Sequence, residues 1–204
     1  MQAFRASGAG SVAVLCLLLS CLSVRAEIGF MTLGVSTTAP IGHHLLCRDL
    51  PRECEAPGSD RLAPVDLTAS LIQTVAEINT QTNAEIEPVS DQLLYGVEEH
   101  WVYPEDGRGD CEDFVLLKRQ RLEAIGIPLS NLLITVVRKP NGEGHAVLTL
   151  RTSTGDFVLD NLDWRVRAWR DTPYAFVKRQ SSEDPGKWLS IAANLDFVVG
   201  ALGR

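Results

Sequence analysis

The spacing of apolar positions divides the chain into a helical part and a β-rich part. Leu67, Leu71, Val75 and Ile78 recur at helical intervals behind Pro64, which is pre-shaped for a first turn, so a helix is predicted over Pro64 to Thr80. "NAEIEPVSDQLLYG" then reads as an extended passage punctuated by Pro88. The helical period returns at Cys111 with Phe114, Leu117, Leu122 and Ile125, and Gly126 and Pro128 end it. Three β-rich runs follow, "LLITVVR", "HAVLTLR" and "DFVLDNL", separated by the turn sequences "KPNGEG" and "TSTG". A helix followed by an antiparallel meander predicts an α+β domain. Glu27 to Asp60 reads as loop with one short strand near Phe30 to Val35, and Lys187 to Leu202 as a short outer helix.

The N-terminus departs from this pattern. Arg5 precedes an apolar run from Val12 to Leu22, too short for a stable membrane span, and Val24-Arg25-Ala26 offers small residues at a cleavage site. Residues 1–26 therefore read as a secretory signal peptide, with lipidation at Cys21 as the alternative, which Leu19 fits poorly. Loss of that leader, with Arg5 and Arg25, leaves 178 residues carrying 17 basic and 26 acidic side chains, a net −9. Such a balance excludes the basic face of a nucleic-acid binder and suits an exported protein. No later segment is long and apolar enough to span a bilayer.

Export changes the meaning of the cysteines. Cys16 and Cys21 fall in the leader, leaving Cys47, Cys54 and Cys111. "CRDLPREC" is a short loop in an oxidising context, so Cys47 and Cys54 are predicted to pair; zinc with His43 and His44 competes, but the spacing matches no common zinc pattern. Cys111 is left over at a helix start. A thiol nucleophile needs a base and a group that orients the base. Of four histidines, His43 and His44 lie in the predicted loop and His100 in the acidic run "EEHW", whereas His145 opens a strand. If Ser153 and Thr154 form the turn, Asp160 lies opposite Val147 and diagonal to His145 on the same face, ~7–8 Å away at the backbone. Taken singly, each has a structural explanation: a packed cysteine, a satisfied histidine, an aspartate at a strand end. The unpaired helix-start cysteine is what favours chemistry. "DGRGDCED" fails the EF-hand pattern, with Arg108 at the third position and Cys111 where glycine is required.

The blocks "HWVYPEDGRGDCEDFVLLKRQRLEAIGIP" and "GHAVLTLRTSTGDFVLDNL", with "PIGHHLLCRDLPREC", "VAEINTQTN" and "YAFVKRQSSEDPGKW", resemble the bacterial transglutaminase-like cysteine proteinases, the family of the LapG-type periplasmic proteases. The resemblance spans nearly all of residues 27–204 as one domain, and "GDCED" and "LDN" are its most specific blocks. It implies a papain-like, transglutaminase-type α+β fold in which the cysteine helix packs on an antiparallel sheet. It also implies Cys111 as nucleophile, His145 as general base and acid, and Asp160 as the orienting carboxylate. Calcium is implied as cofactor, held by Asp110, Glu112 and Asp113. The implied substrate is a large surface adhesin whose cleavage releases biofilm cells, and the implied regulator is a membrane receptor for cyclic di-GMP.

That resemblance bears on a conflict of charge. A helix N-terminus favours a thiolate. A carboxylate ~6 Å away opposes it by about 3 kcal/mol at an effective dielectric near 20. A cation on Asp110 and Glu112 would cancel that opposition. The residues leave open whether water or an amine resolves the acyl-enzyme, hence protease or Gln-to-amine transferase, with a non-catalytic binding module of the same fold as third reading. Cys111 N–H is the candidate oxyanion donor, with Trp101 as a neighbour.

Overall fold

The computed structural model describes residues 29–56, 58 and 62–192. The leader read at 1–26 and the segment 193–204 lie outside them. In chain order the elements are β1 (Leu33–Thr37), α1 (Ile41–Asp49), α2 (Ala69–Glu85), β2 (Glu87–Pro88), α3 (Asp91–Leu94), β3 (Arg108–Gly109), α4 (Cys111–Ala124), β4 (Leu132–Arg138), β5 (Gly144–Thr152), β6 (Gly155–Leu159), β7 (Arg167–Ala168), β8 (Ala175–Gln180) and β9 (Trp188–Ile191). Seven strands make one sheet in the order β1-β9-β8-β4-β5-β6-β7, every neighbouring pair antiparallel. The predicted meander is its centre, β4-β5-β6. Flanked on both sides, β4 is buried along most of its length, which is why "LLITVVR" is almost uninterruptedly apolar.

The two faces of β5 separate the core into halves by its two-residue period. Ala146, Leu148 and Leu150 pack with Val115, Leu116 and Leu122 of α4 and Val75 of α2. Val147 packs on the other face with Val137, Val158, Met31, Trp169 and Ile191. This is an α+β architecture with the cysteine-bearing helix on an antiparallel sheet, as the pattern predicts.

Several elements differ from the sequence expectation. α2 begins at Ala69 rather than Pro64, because Val65 bridges to Thr152 and Thr68 caps the helix, its hydroxyl accepting Leu71 N–H at 3.2 Å. It continues to Glu85, through residues read as extended. Its polar Asn79 and Asn83 stay engaged, donating to Asp163 O at 3.0 Å and Asp160 O at 2.8 Å. α4 buries nearly its whole girth, including Lys118 and Arg119, while Ile125 of the predicted stripe is 48% exposed. Arg119 is satisfied by Leu132 O at 3.1 Å and by Glu53. His43 and His44 lie on α1 rather than in a loop. Trp188 to Ile191, read as the start of a helix, is a strand that closes the sheet between β1 and β8. Among the described residues no helix is long and apolar enough to cross a membrane.

Candidate active site

Acids fix where α4 starts. Asp113 accepts Asp110 N–H at 3.2 Å and Val102 N–H at 3.0 Å, which closes the first turn and ties the preceding loop to it. Gly109 makes room, since a Cβ there would stand 2.5 Å from the Asp113 carboxylate. The short β2-β3 ladder pins the loop from below, with Glu87 N–H on Gly107 O at 2.8 Å and Val89 N–H on Gly109 O at 3.0 Å. The sulfur of Cys111 accepts Ala146 N–H at 3.4 Å and so lies against the start of β5. Cys111 is the one free cysteine of the described residues; Cys47 and Cys54 are disulfide-bonded, which leaves no thiolate for the zinc alternative beside His43.

The hairpin register is the one the turn predicts: Leu148 faces Leu159 and Leu150 faces Phe157, which carries Asp160 past the strand end beside Val147. His145 Nε2 and Asp160 Oδ1 are 2.8 Å apart and both side chains are buried. Asp160 Oδ1 also accepts Leu162 N–H at 3.0 Å, and Oδ2 accepts the Tyr174 hydroxyl. Burial alone would raise the Asp160 carboxyl, but the hydrogen bonds from His145, Leu162 and Tyr174 outweigh it and hold the pKa below the ordinary value. Tyr174, whose ring lies 5.6 Å from that of His145, opens the block "YAFVKRQSSEDPGKW", but nothing in the sequence assigned it to the site. Since Nε2 is held, Nδ1 is the nitrogen left for proton transfer.

Cys111 and His145 line one cleft of ≈ 330 Å³ with Glu112, Trp101, Glu99 and Lys178. A larger groove of ≈ 530 Å³ runs along α2 beside Trp164, but no cysteine or histidine lines it. Trp101 is braced by Gly42, where a Cβ would come within 2.3 Å of the indole, and its Nε1–H donates to Glu99 at 3.0 Å, so the indole is already committed. His43 is a core histidine: Trp188 Nε1–H donates to its Nδ1 at 3.2 Å, and burial, then Arg119 and His44, push its pKa down to about 4. His44 and His100 are exposed.

The thiol is not poised as it stands. Burial and then the Glu112 carboxylate push its pKa well above the ordinary value, and the Cys111 thiol donates to Glu112 at 3.0 Å. Glu112 is itself pushed up, by burial first and then by Asp110. Asp113 is raised to about 7, mainly by burial, and burial raises Asp91 as well.

Two groups of ligand atoms share Asp110: one with Glu112 and the Cys111 sulfur, the other with Asp91 and Asp113, all within 4.8 Å inside each group. Asp91 Oδ1 and Asp110 Oδ1 are buried without a hydrogen-bond partner. Crowded, desolvated carboxylates with orphaned oxygens fit a hard, oxygen-seeking divalent cation such as calcium. The three acids singled out from sequence are thus brought together, with Asp113 also serving as a cap. Asp91 joins them from α3, twenty positions upstream of Cys111, and no local pattern marked it.

A comparison with curated proteins finds no match. Among solved structures, calcium-bound LapG of Legionella pneumophila is similar with a TM-score of 0.50 at 24% identity, over 67% of this chain and 82% of that one. A second LapG structure from that organism gives a TM-score of 0.49 at 25% identity, over 64% and 75%. The former likeness is one of fold. The family model described as "Bacterial transglutaminase-like cysteine proteinase BTLCP" matches residues 33–196, a span that holds the cysteine helix, the β-meander and the acidic cluster, and the chain therefore belongs to the bacterial transglutaminase-like cysteine proteinases and is a cysteine peptidase.

Proposed function

We propose that the chain is an exported endopeptidase with Cys111 as nucleophile, His145 as acid–base and Asp160 as the orienting carboxylate. The buried 2.8 Å pair of His145 and Asp160, beside a lone cysteine at a helix N-terminus, carries this reading. With Nε2 fixed by Asp160, Nδ1 takes the Cys111 proton and the thiolate attacks the peptide carbonyl. The first-turn amides of α4, Cys111 N–H among them, lack intrahelical acceptors and suit the developing oxyanion. His145 then returns the proton to the leaving amine and activates the water that releases the acyl group.

Glu112 opposes this sequence by holding the thiol hydrogen. Asp110 and Glu112, with Asp91 and Asp113 behind them, are the residues that would hold calcium. The ion would supply positive charge to offset theirs, and the likeness in fold to a calcium-bound LapG supports that assignment. The resemblance to LapG-type enzymes supports a periplasmic location, a large surface adhesin as substrate and control by a cyclic di-GMP receptor.

The test is incubation of the purified protein with candidate exported proteins, with and without calcium, followed by mass spectrometry. New peptide termini that vanish in Cys111→Ala support the endopeptidase. Isopeptide bonds would transfer the reading to an acyl transferase, and no covalent product from any candidate would favour a binding module.

A further inference from the structure

Asp160 has to stay ionised and still while His145 gains and loses a proton. Among the described residues no lysine or arginine pairs with it, so hydrogen bonds from His145, Leu162 and Tyr174 do the holding. Their distribution is uneven. His145 Nε2 at 2.8 Å and Leu162 N–H at 3.0 Å both fall on Oδ1, whereas the Tyr174 hydroxyl is, among the described residues, the one donor to Oδ2. Donors on one oxygen pin a point, and the plane of the carboxylate can still swing about it. A partner on the second oxygen fixes the plane, and a buried oxygen left without one is costly.

Tyr174 reaches Asp160 across the sheet. It stands just before β8 and Asp160 just after β6, with β4 and β5 between those strands. Phe176 faces Val137 and Val137 faces His145, so these side chains share the sheet face turned away from α4. Tyr174, two positions before Phe176, packs on that same face, and its ring meets the imidazole at 5.6 Å. The tyrosine is itself braced. Thr172 Oγ1 donates to Trp169 O at 2.8 Å, and the buried Trp169 packs edge-on against Phe176 at 5.3 Å and donates to Gly29 O at 2.8 Å. The hydroxyl keeps its proton, because burial and then the bond to Asp160 push its pKa up. A cleft of ≈ 140 Å³ opens beside Asp160 and Tyr174, and its charged residues Asp163, Arg165 and Arg167 pair with one another rather than with Asp160.

We infer that Tyr174 is a positioning residue of the reaction, its hydroxyl fixing the plane of the Asp160 carboxylate and its ring backing the His145 imidazole. Asp160 then presents Oδ1 to Nε2 in one orientation, which leaves Nδ1 for the Cys111 proton. A tyrosine kept only for packing would need its ring and not its hydroxyl, so removal of the hydroxyl alone separates the two roles. The inference rests on the catalytic roles proposed above for His145 and Asp160.

The test uses the full chain with Tyr174→Phe, Tyr174→Leu, Asp160→Asn and the double variant Tyr174→Phe with Asp160→Asn. Hydrolysis of p-nitrophenyl acetate reports kcat and KM, and the ¹³C signal of the Asp160 carboxyl, followed against pH, reports its ionisation. Tyr174→Phe is expected to fold, because the ring and its packing stay and only the donor to Oδ2 is lost. It should lower kcat by about threefold to thirtyfold with KM nearly constant. The Asp160 midpoint should move upward, since a hydrogen bond to the charged form is gone. In the Asp160→Asn background the same change should cost much less, because the group it acts through has lost its charge. A kcat within about twofold of wild type, a loss confined to KM, factors that multiply in full, or an unmoved Asp160 midpoint would each overturn the inference. If Tyr174→Phe fails to fold, Tyr174→Leu is judged by the same criteria. The carboxyl midpoint needs no turnover, so it decides the role of Tyr174 even if Cys111→Ala proved active and the peptidase assignment of that residue failed.

Discussion

Replacing Asp160 by asparagine should remove a charge and little else. The carboxylate receives three donors: His145 Nε2–H and Leu162 N–H on Oδ1, and the Tyr174 hydroxyl on Oδ2. An amide oxygen in the Oδ1 place keeps the first two, and the amide NH₂ then meets Tyr174, whose hydroxyl can rotate to accept. The flipped amide would point its own hydrogens at Leu162 N–H and His145, so the backbone at Leu162 selects the productive orientation. The imidazole should therefore keep its proton on Nε2 and its place in the cleft. What disappears is the attraction between carboxylate and imidazolium once His145 has taken the thiol proton. For charge centres ~4 Å apart at an effective dielectric of ~20 that attraction is about 4 kcal/mol, or roughly a 10³-fold fall in kcat. The assay is steady-state hydrolysis with Cys111→Ala as blank, joined to ¹⁵N spectroscopy of the imidazole. A kcat within about tenfold of wild type would refute the reasoning. A ring proton found on Nδ1 in the variant would refute it differently, by placing the loss in orientation rather than charge.

Other outcomes follow from the same geometry. Iodoacetamide on the unreduced native protein should label Cys111 alone, since Cys47 and Cys54 are bonded, and Cys111→Ala should abolish turnover while leaving the thermal transition nearly in place. Chelation should lower activity, calcium should restore it, and magnesium should do so poorly because it demands a tighter octahedral shell. Calorimetry should show calcium binding lost in the double variant Asp110→Ala with Glu112→Ala and weakened by Asp91→Ala, a contribution that only the fold reveals. His43 is held neutral in the core, so above pH 6.5 its imidazole is neutral both folded and unfolded and carries no pH dependence. As pH falls from 6.5 through about 4 the unfolded chain alone gains the proton, costing ~3 kcal/mol of stability. Denaturant titrations at pH 7 and pH 4.5 should show that loss in wild type and lack it in His43→Phe, provided that variant folds; an equal loss in both would remove His43 from the explanation.

Local pattern determined a great deal about this protein. Period-two alternation and the "TSTG" turn fixed the β5-β6 register, and register alone brings Asp160 beside His145, because a one-residue slip would move it to the other face. The leftover cysteine at the start of α4 was equally legible, from cysteine counting and a helical period. Tertiary structure decided the rest. Pro64 looked like a helix opening, yet Val65 was drawn into a bridge with β5, a long-range pairing that no window of sequence contains. Lys118 and Arg119 are charged residues outside the predicted apolar stripe, yet α4 is enclosed between the sheet, α2 and the segment bearing Glu53, so both are buried. Asp91 and Tyr174 approach the site from remote segments held by the β2-β3 ladder and the strand order, and their nearness to Cys111 and His145 is a property of packing alone. Neighbours in sequence chose the elements and their faces, whereas contacts across the fold chose which charges share a site.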